Sequence, residues 1–457
     1  MDSQQRLVLA IAIITGFIGP FMSSAMNLSV TAIGTEFDAP ATVSTWIVNS
    51  YTLATAAFSI CMGRIADIRG RRRMILIGMV FYGLFGLVCI FAPNIWVLVG
   101  GRFCMGVSAA IMLSSNVPLM LTYFPPQVKG RMLGLTVSSV YVGLALGPTV
   151  GGIINDVLGW HWIFVFSVVV SAVAVVMTLR LEDDKPGQDG ASLDNRGNVL
   201  FVASIMLCMV GLSELNQQSW APVTLVVGLL MLVAFVIVEW RTSSPVMQVR
   251  LFASNIGYAF SNLANLLNFG ATYAIGYVMA IYLQNVQGLD AGVAGLLLIV
   301  QPIMQTLVSP LAGRLSDRFS PYVLSSVGLF VVTAGLVDMC FVHVGTPLYV
   351  PVAGFALIGC GIGIFSSPNN NAILTCAGRD HYSEANATIS TMRGIGQSIS
   401  MALTSFLMSF ELGDVVFSQA DPHLLSNTIG MVVAACTVIS VVSAVISLAR
   451  GRERHGD

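Results

Sequence analysis

Fourteen predominantly apolar stretches follow one another along the chain, at about 7–32, 43–62, 74–92, 95–121, 131–154, 161–180, 198–214, 220–239, 255–283, 291–312, 322–341, 347–371, 386–410 and 427–449. Polar residues are confined largely to short clusters between them. A helix crosses a hydrocarbon layer with roughly 20 apolar residues. Lipid offers nothing to pair with a free backbone N–H or C=O, so each stretch is expected to be a helix. The fold class this predicts is an all-α integral membrane protein with fourteen transmembrane helices.

The basic residues test that count. All the lysines and arginines except Arg102 and Arg393 fall at the two ends of the chain or in alternate loops, beginning with the loop after the second span (Arg64, Arg69, Arg71, Arg72, Arg73). The remaining loops carry acids instead: Glu36, Asp38, Asp290, Glu411, Asp414 and Asp421. Cytoplasmic loops are the ones enriched in Lys and Arg, so both termini are expected in the cytosol. A missed or extra span would invert every loop beyond it. With 56% hydrophobic and only 9% charged residues, the chain has too little charge to cover a soluble surface. "MDSQQR" leads directly into an apolar run too long for a signal-peptide core, so the first span is expected to stay. The eight cysteines and five histidines are scattered, so neither a disulfide framework nor a metal centre is expected.

Part of the pattern occurs twice. "GRIADIRG" at 63–70 returns as "GRLSDRFS" at 313–320, "FCMGVSAAIMLSS" at 103–115 loosely as "FALIGCGIGIFSS" at 355–367, and "TVSS" at 136–139 as "TIST" at 388–391. The near-constant offset argues for a duplicated six-helix bundle, one way in which transporters are built. The division that follows is an N-terminal bundle over 1–182, a cytoplasmic linker and two extra helices over 183–253, and a C-terminal bundle over 254–457.

Several segments carry a resemblance. "GRIADIRGRRR" between spans 2 and 3 resembles the loop signature of the major facilitator superfamily. "GLALGPTVGG" at 143–152 resembles the antiporter signature of its drug exporters, at Gly143, Gly147, Pro148, Gly151 and Gly152, and "GGRFCMG" at 100–106 resembles the signature of the fourth span. The 6+2+6 layout is similar to that of the fourteen-helix drug:proton antiporter family, as are "WIVNSYTLA", "GWHWIF", "FVIVEWRTSSPV" and "GRDHYSEANATISTMRGIGQSIS". The likeness covers essentially the whole chain. One departure stands out: that family usually carries an aspartate in its first span, and here "MSSAMNLSVTAIG" has Ala25 or a neighbour in its place. This bears against protonation of the first span and against a preference for cationic drugs.

The resemblance implies a major facilitator fold and gives the candidate residues their roles. Gly63 and Gly70 would allow a tight turn. Asp67, among Arg71, Arg72 and their neighbours, would latch the two bundles on the cytoplasmic side by pairing across to the other bundle, with Asp317 as its repeat. Arg102 costs about 2.5–3.5 kcal/mol or more to insert; it would face the central cavity and help proton exchange. Arg393 is a second arginine within a span. Gly143, Gly147 and Gly151 share one helix face, which permits close helix approach, and Pro148 permits a kink. With spans 1, 4, 9 and 12 around the cavity, the lining would include Asn27, Asn116, Asn262, Asn265, Asn268, Tyr273 and Tyr277. Asp338, Glu214 and Asp156 are the candidate proton acceptors.

The function this implies is proton-coupled export of drug-like or lipophilic small molecules by alternating access, with export of an endogenous, anionic metabolite as the alternative and a non-transporting membrane receptor as a remote one. No phosphate-binding loop and no nucleophile–base set is present, so neither an ATP-driven pump nor an enzyme is expected. The expected partners are a small-molecule substrate, protons and the lipid bilayer, with no nucleic acid; the expected state is a monomer in the inner or plasma membrane. No cofactor or metal is expected, the proton gradient being the energy source.

Overall fold

A capping box starts the first helix: Asp2 Oδ1 accepts from the Gln5 amide at 2.7 Å, and the Gln5 side chain accepts from the Asp2 amide at 3.2 Å. Similar side-chain caps from Asn94, Asp194, Asn255 and Asp421 begin four other helices. The computed structural model describes residues 2–124, 126–181, 194–242, 247, 249–316, 318–377, 382–413 and 415–450. Among them the regular structure is helical, with no strand.

The helices in chain order are α1 (Ser3–Glu36), α2 (Ala41–Arg69), α3 (Arg71–Ile90), α4 (Ile95–Tyr123), α5 (Pro126–Leu158), α6 (His161–Leu179), α7 (Asn195–Ser213), α8 (Ala221–Arg241), α9 (Val249–Ser254), α10 (Ile256–Thr272), α11 (Ile275–Ile281), α12 (Ala291–Leu298), α13 (Val300–Ser316), α14 (Pro321–Met339), α15 (Tyr349–Ala377), α16 (Tyr382–Leu412) and α17 (Pro422–Ala449). Twelve helical segments among the described residues are long and apolar enough to cross a membrane, counting α10–α11 with the π-turn Tyr282–Val286 as one and α12–α13 as another. Helices α2 and α16 have the length, 29 and 31 residues, but a more polar composition.

Two sequence expectations change in detail. The ninth span is interrupted at Tyr273–Ala274, where the Ala274 amide is met by Ser400 Oγ at 3.1 Å. The tenth breaks after Leu298. Pro302 lies four residues on and has no N–H to return to the Leu298 carbonyl, which accounts for the break.

Helices α1–α6 pack among themselves, as do α10–α17; α7 and α8 pair with each other, and α7 leans on both α2 and α16. The lipid-facing surface is apolar: α8 exposes Val223, Leu230 and Val233 and buries only Ala221, Gly228, Phe235 and Glu239. Both described ends of the chain lie on one face, together with Arg69, Arg71, Arg72, Arg180 and Arg314. This is the arginine-rich face.

Candidate functional site: the seam between the bundles

The two bundles are tied together over half their depth. Tyr273 Oη, at the break in the ninth span, lies 2.8 Å from Ser23 Oγ of α1 and 3.0 Å from Thr52 Oγ1 of α2. Towards the face opposite the arginines, Thr45 meets Ser405 at 3.1 Å, and Asn285 Nδ2 donates to Thr31 Oγ1 at 3.0 Å. At that face Thr35 bonds Ser418, the Ala41 amide donates to the Val415 carbonyl, and the Gly292 amide donates to Asp156 Oδ2 at 2.7 Å. All the described hydrogen bonds between the bundles lie between mid-span and that opposite face. The polar ties are therefore on that side, while on the arginine-rich side of Thr52 helices α2 and α16 meet through apolar side chains, Leu53 and Ala57 in one cluster with Met392 and Ile395.

Helix α5 makes the closest contacts. A methyl group on Gly143 would stand 2.5 Å from the Phe17 carbonyl oxygen of α1, and one on Gly151 would stand 2.5 Å from Ala25 Cβ. One on Gly147 would overlap Ser24 Oγ. These three glycines seat α5 on α1 within one bundle. Gly152 points the other way and would overlap the Ala291 carbonyl oxygen of α12, while Gly295 of α12 packs against the Pro148 carbonyl. One glycine-rich helix thus makes both an intrabundle and an interbundle crossing. The same contact explains Ala25: it is fully buried against Gly151, so a carboxylate there has no room.

The basic loop is arranged differently from expectation. Gly63 is not part of a turn; it lies inside α2, where a methyl group on it would stand an ordinary 3.5 Å from Ser114 Cβ. Gly70, at φ +93°, makes the turn alone. Asp67 does not reach the other bundle in its described contacts. Its ion pair is with Arg71 at 2.9 Å, and Arg71 also donates to the Pro118 carbonyl and Thr122 Oγ1 of α4. Arg72 donates to the Thr178 and Leu179 carbonyls, which satisfies the C-terminal end of α6. In this conformation the loop staples its own bundle. Asp317 lies outside the described residues.

The arginines within the spans also separate. Arg102 was expected in the cavity, but it is 0% exposed between α2 and α4. Its Nε donates to the Ile47 carbonyl at 3.1 Å, its guanidinium lies 4.4 Å from the Tyr51 ring centroid, and its two terminal nitrogens have no hydrogen-bond partner. Arg393 is half-buried, with its guanidinium 5.2 Å from the Phe269 ring centroid. Of the asparagines expected to line the cavity, Asn116, Asn262 and Asn265 donate Nδ2 to the Ala12, Tyr258 and Ile389 carbonyls, with Asn116 Oδ1 and Asn262 Oδ1 buried and unpartnered. Asn268 is fully buried, with neither side-chain atom hydrogen-bonded. Asn27 faces the other bundle, its Nδ2 against Gly276. Asp338 packs against Gly354 within the second bundle, away from the seam.

Two features were not legible as sites. Tyr273 was assigned to the lining but not to a cross-bundle tie. Arg450 counted only as a terminal positive charge, yet it is buried and donates to Ser261 Oγ, Asn369 Oδ1 and Ser447 Oγ at 2.6–2.9 Å.

A sequence model of the Major Facilitator Superfamily matches residues 12–401 and again 261–456. The chain belongs to the major facilitator superfamily. It is a multi-pass membrane transporter and not an enzyme. Superfamily relatives include the riboflavin transporter RibZ of Clostridioides difficile, 25% identical over 94% of this chain and 93% of that protein. The multidrug resistance protein Stp of Mycobacterium tuberculosis is 29% identical over 93% of this chain and 79% of its own length. A methylenomycin A resistance protein of Streptomyces coelicolor is 28% identical over 86% and 83%. Among solved structures, a bacterial homologue of the human lysosomal transporter Spinster, inward-facing and unoccupied, superposes with a TM-score of 0.72 over 99% of this chain and 98% of that one, at 14% identity. A likeness at that identity concerns the fold alone.

Proposed function

We propose that this transporter is a proton-coupled exporter of drug-like or lipophilic small molecules in the bacterial plasma membrane, with the arginine-rich face and both termini in the cytosol. On this reading α2 and α16 cross the membrane with the other twelve segments, making the fourteen helices of the drug:proton antiporter family. The positive-inside distribution of Lys and Arg supports the orientation, and the structure then corresponds to an inward-facing state. The observation that carries the reading is the α5 crossing. Gly152 and the Pro148 carbonyl meet α12 backbone to backbone on the outer side, in the segment that resembles the antiporter signature. Opening outward parts this crossing, and closing it excludes water and ions. The loop at Asp67 then has its latch role in the outward-open state, when the cytoplasmic ends meet. Relatives named as multidrug resistance proteins support the drug-like substrate class.

The coupling carboxylate is proposed at the seam. Asp156 of α5 accepts the Gly292 amide near the N-terminus of α12, where the helix dipole favours a negative charge. Among the described hydrogen bonds it is the one carboxylate contact that joins the bundles. Proteoliposomes with an internal pH dye test the proposal: added substrate should move protons against its own flux, and flux that ignores the proton gradient overturns it. The alternative, export of one anionic metabolite, draws on the half-buried Arg393 and on the relative named as a riboflavin transporter.

A further inference from the structure

We propose that the exported compound is a lipophilic organic anion and that Arg393 supplies its counter-charge. This rests on the reading of the chain as an inward-facing exporter and names the substrate class of the same seam. Arg393 is eleven residues into α16, about 16 Å along the helix from Tyr382, which places it well inside a hydrocarbon layer of about 30 Å. Its neighbour Gly394 packs on Ala56 of α2, a methyl there standing 3.2 Å from the Ala56 Cα. This part of α16 therefore borders the first bundle.

The facing ring fixes the direction. Phe269 is one helical turn from Tyr273, towards the arginine-rich side, and so shares its face. Tyr273 bonds Ser23 and Thr52 across the seam. Arg393, lying over Phe269, accordingly sits in the seam just on the arginine-rich side of that bond, the side from which a compound entering from the cytosol would arrive.

The charge balance then points to an anion. The Arg393 Nε is buried without a hydrogen-bond partner, the Phe269 ring is the described contact of its guanidinium, and no described carboxylate pairs with it. The two buried arginines differ from it. Arg450 has its two terminal nitrogens occupied by Ser261, Asn369 and Ser447, although its Nε is unpartnered like that of Arg393. Arg102 has free donors but is 0% exposed, out of reach of a ligand. Arg393 combines reach with unfilled donors. A planar guanidinium fits a carboxylate by two parallel N–H···O bonds, and the apolar surroundings of Phe269 and Ala56 suit a lipophilic body.

The test is ligand-dependent thermal stability of the purified full-length protein, read with 2-naphthoate and its neutral counterpart 2-naphthamide. Naphthoate should bind wild type at least tenfold more tightly than the amide. Arg393→Gln should abolish that preference, and Arg393→Lys, which keeps the charge, should retain part of it. Equal binding of acid and amide by wild type, no binding of naphthoate, or a preference that survives Arg393→Gln overturns the proposal. Should Arg393→Gln fail to fold, the wild-type acid-against-amide comparison and Arg393→Lys still decide. Binding is read without a gradient, so a failure of proton coupling in proteoliposomes is a separate result that leaves the anion assignment standing.

Discussion

Placing a methyl group on one of two neighbouring glycine contacts of α5 separates stability from conformational equilibrium. In Gly152→Ala the new Cβ would overlap the Ala291 carbonyl oxygen and stand 2.8 Å from its carbon. Ordinary contacts need about 3.5–4.0 Å, so α5 and α12 have to move apart by roughly 1 Å. Overpacking of this kind costs about 1–3 kcal/mol. The cost falls only on the state in which the two bundles touch there, so the equilibrium should shift towards outward-open by about 5- to 150-fold. Gly143→Ala introduces a comparable clash, 2.5 Å from the Phe17 carbonyl oxygen, but within one bundle. Its cost is present in both states and should appear as a lower melting temperature. Hydrogen–deuterium exchange with mass spectrometry distinguishes them. Gly152→Ala should raise exchange about fivefold or more in peptides covering 150–158 and 282–298, and Gly143→Ala should leave those peptides near wild type while melting earlier. The same exchange pattern in both variants, or no increase for Gly152→Ala, would refute the assignment of Gly152 to the moving seam.

Tyr273→Phe removes the hydroxyl shared by Ser23 and Thr52; at about 0.5–1.5 kcal/mol per hydrogen bond it should shift the equilibrium the same way without lowering the melting temperature much, as the same exchange experiment reports. Arg72→Ala frees the Thr178 and Leu179 carbonyls at a partly exposed helix end and, at about 0.5–1.5 kcal/mol per hydrogen bond, should cost about 1–3 kcal/mol, visible as a modest drop in melting temperature with transport retained. Ala25→Leu forces a branched side chain into the contact with Gly151; a cost of about 3 kcal/mol or more should appear as a sharp loss of folded protein in size-exclusion profiles.

Much of the architecture is written in the chain. Membrane-length apolar runs give the helices because lipid leaves the backbone no alternative, and the separation of arginines from acids orders the loops. The spacing of Gly143, Gly147 and Gly151 already announces a close crossing. The sequence leaves the partner of each helix face undetermined. In α1, which is apolar nearly all round, no polar stripe marks an inward side, and α4 and α16 each offer a lone arginine in similar surroundings. Packing alone seals Arg102 between α2 and α4 and leaves Arg393 beside Phe269 at the seam. The asparagines of the ninth span repeat at intervals of three and look like a lining, yet Asn262 and Asn265 are occupied by nearby carbonyls. Gly63 resembles a turn glycine but continues α2, and the chain turns only at Gly70. Local sequence therefore determined that this protein crosses a membrane many times and which helices touch closely. Which polar groups meet across the two bundles was decided only by the tertiary structure, since those contacts join residues far apart in the chain, from 136 positions for Asp156 and Gly292 to 383 for Thr35 and Ser418, and no local periodicity records them.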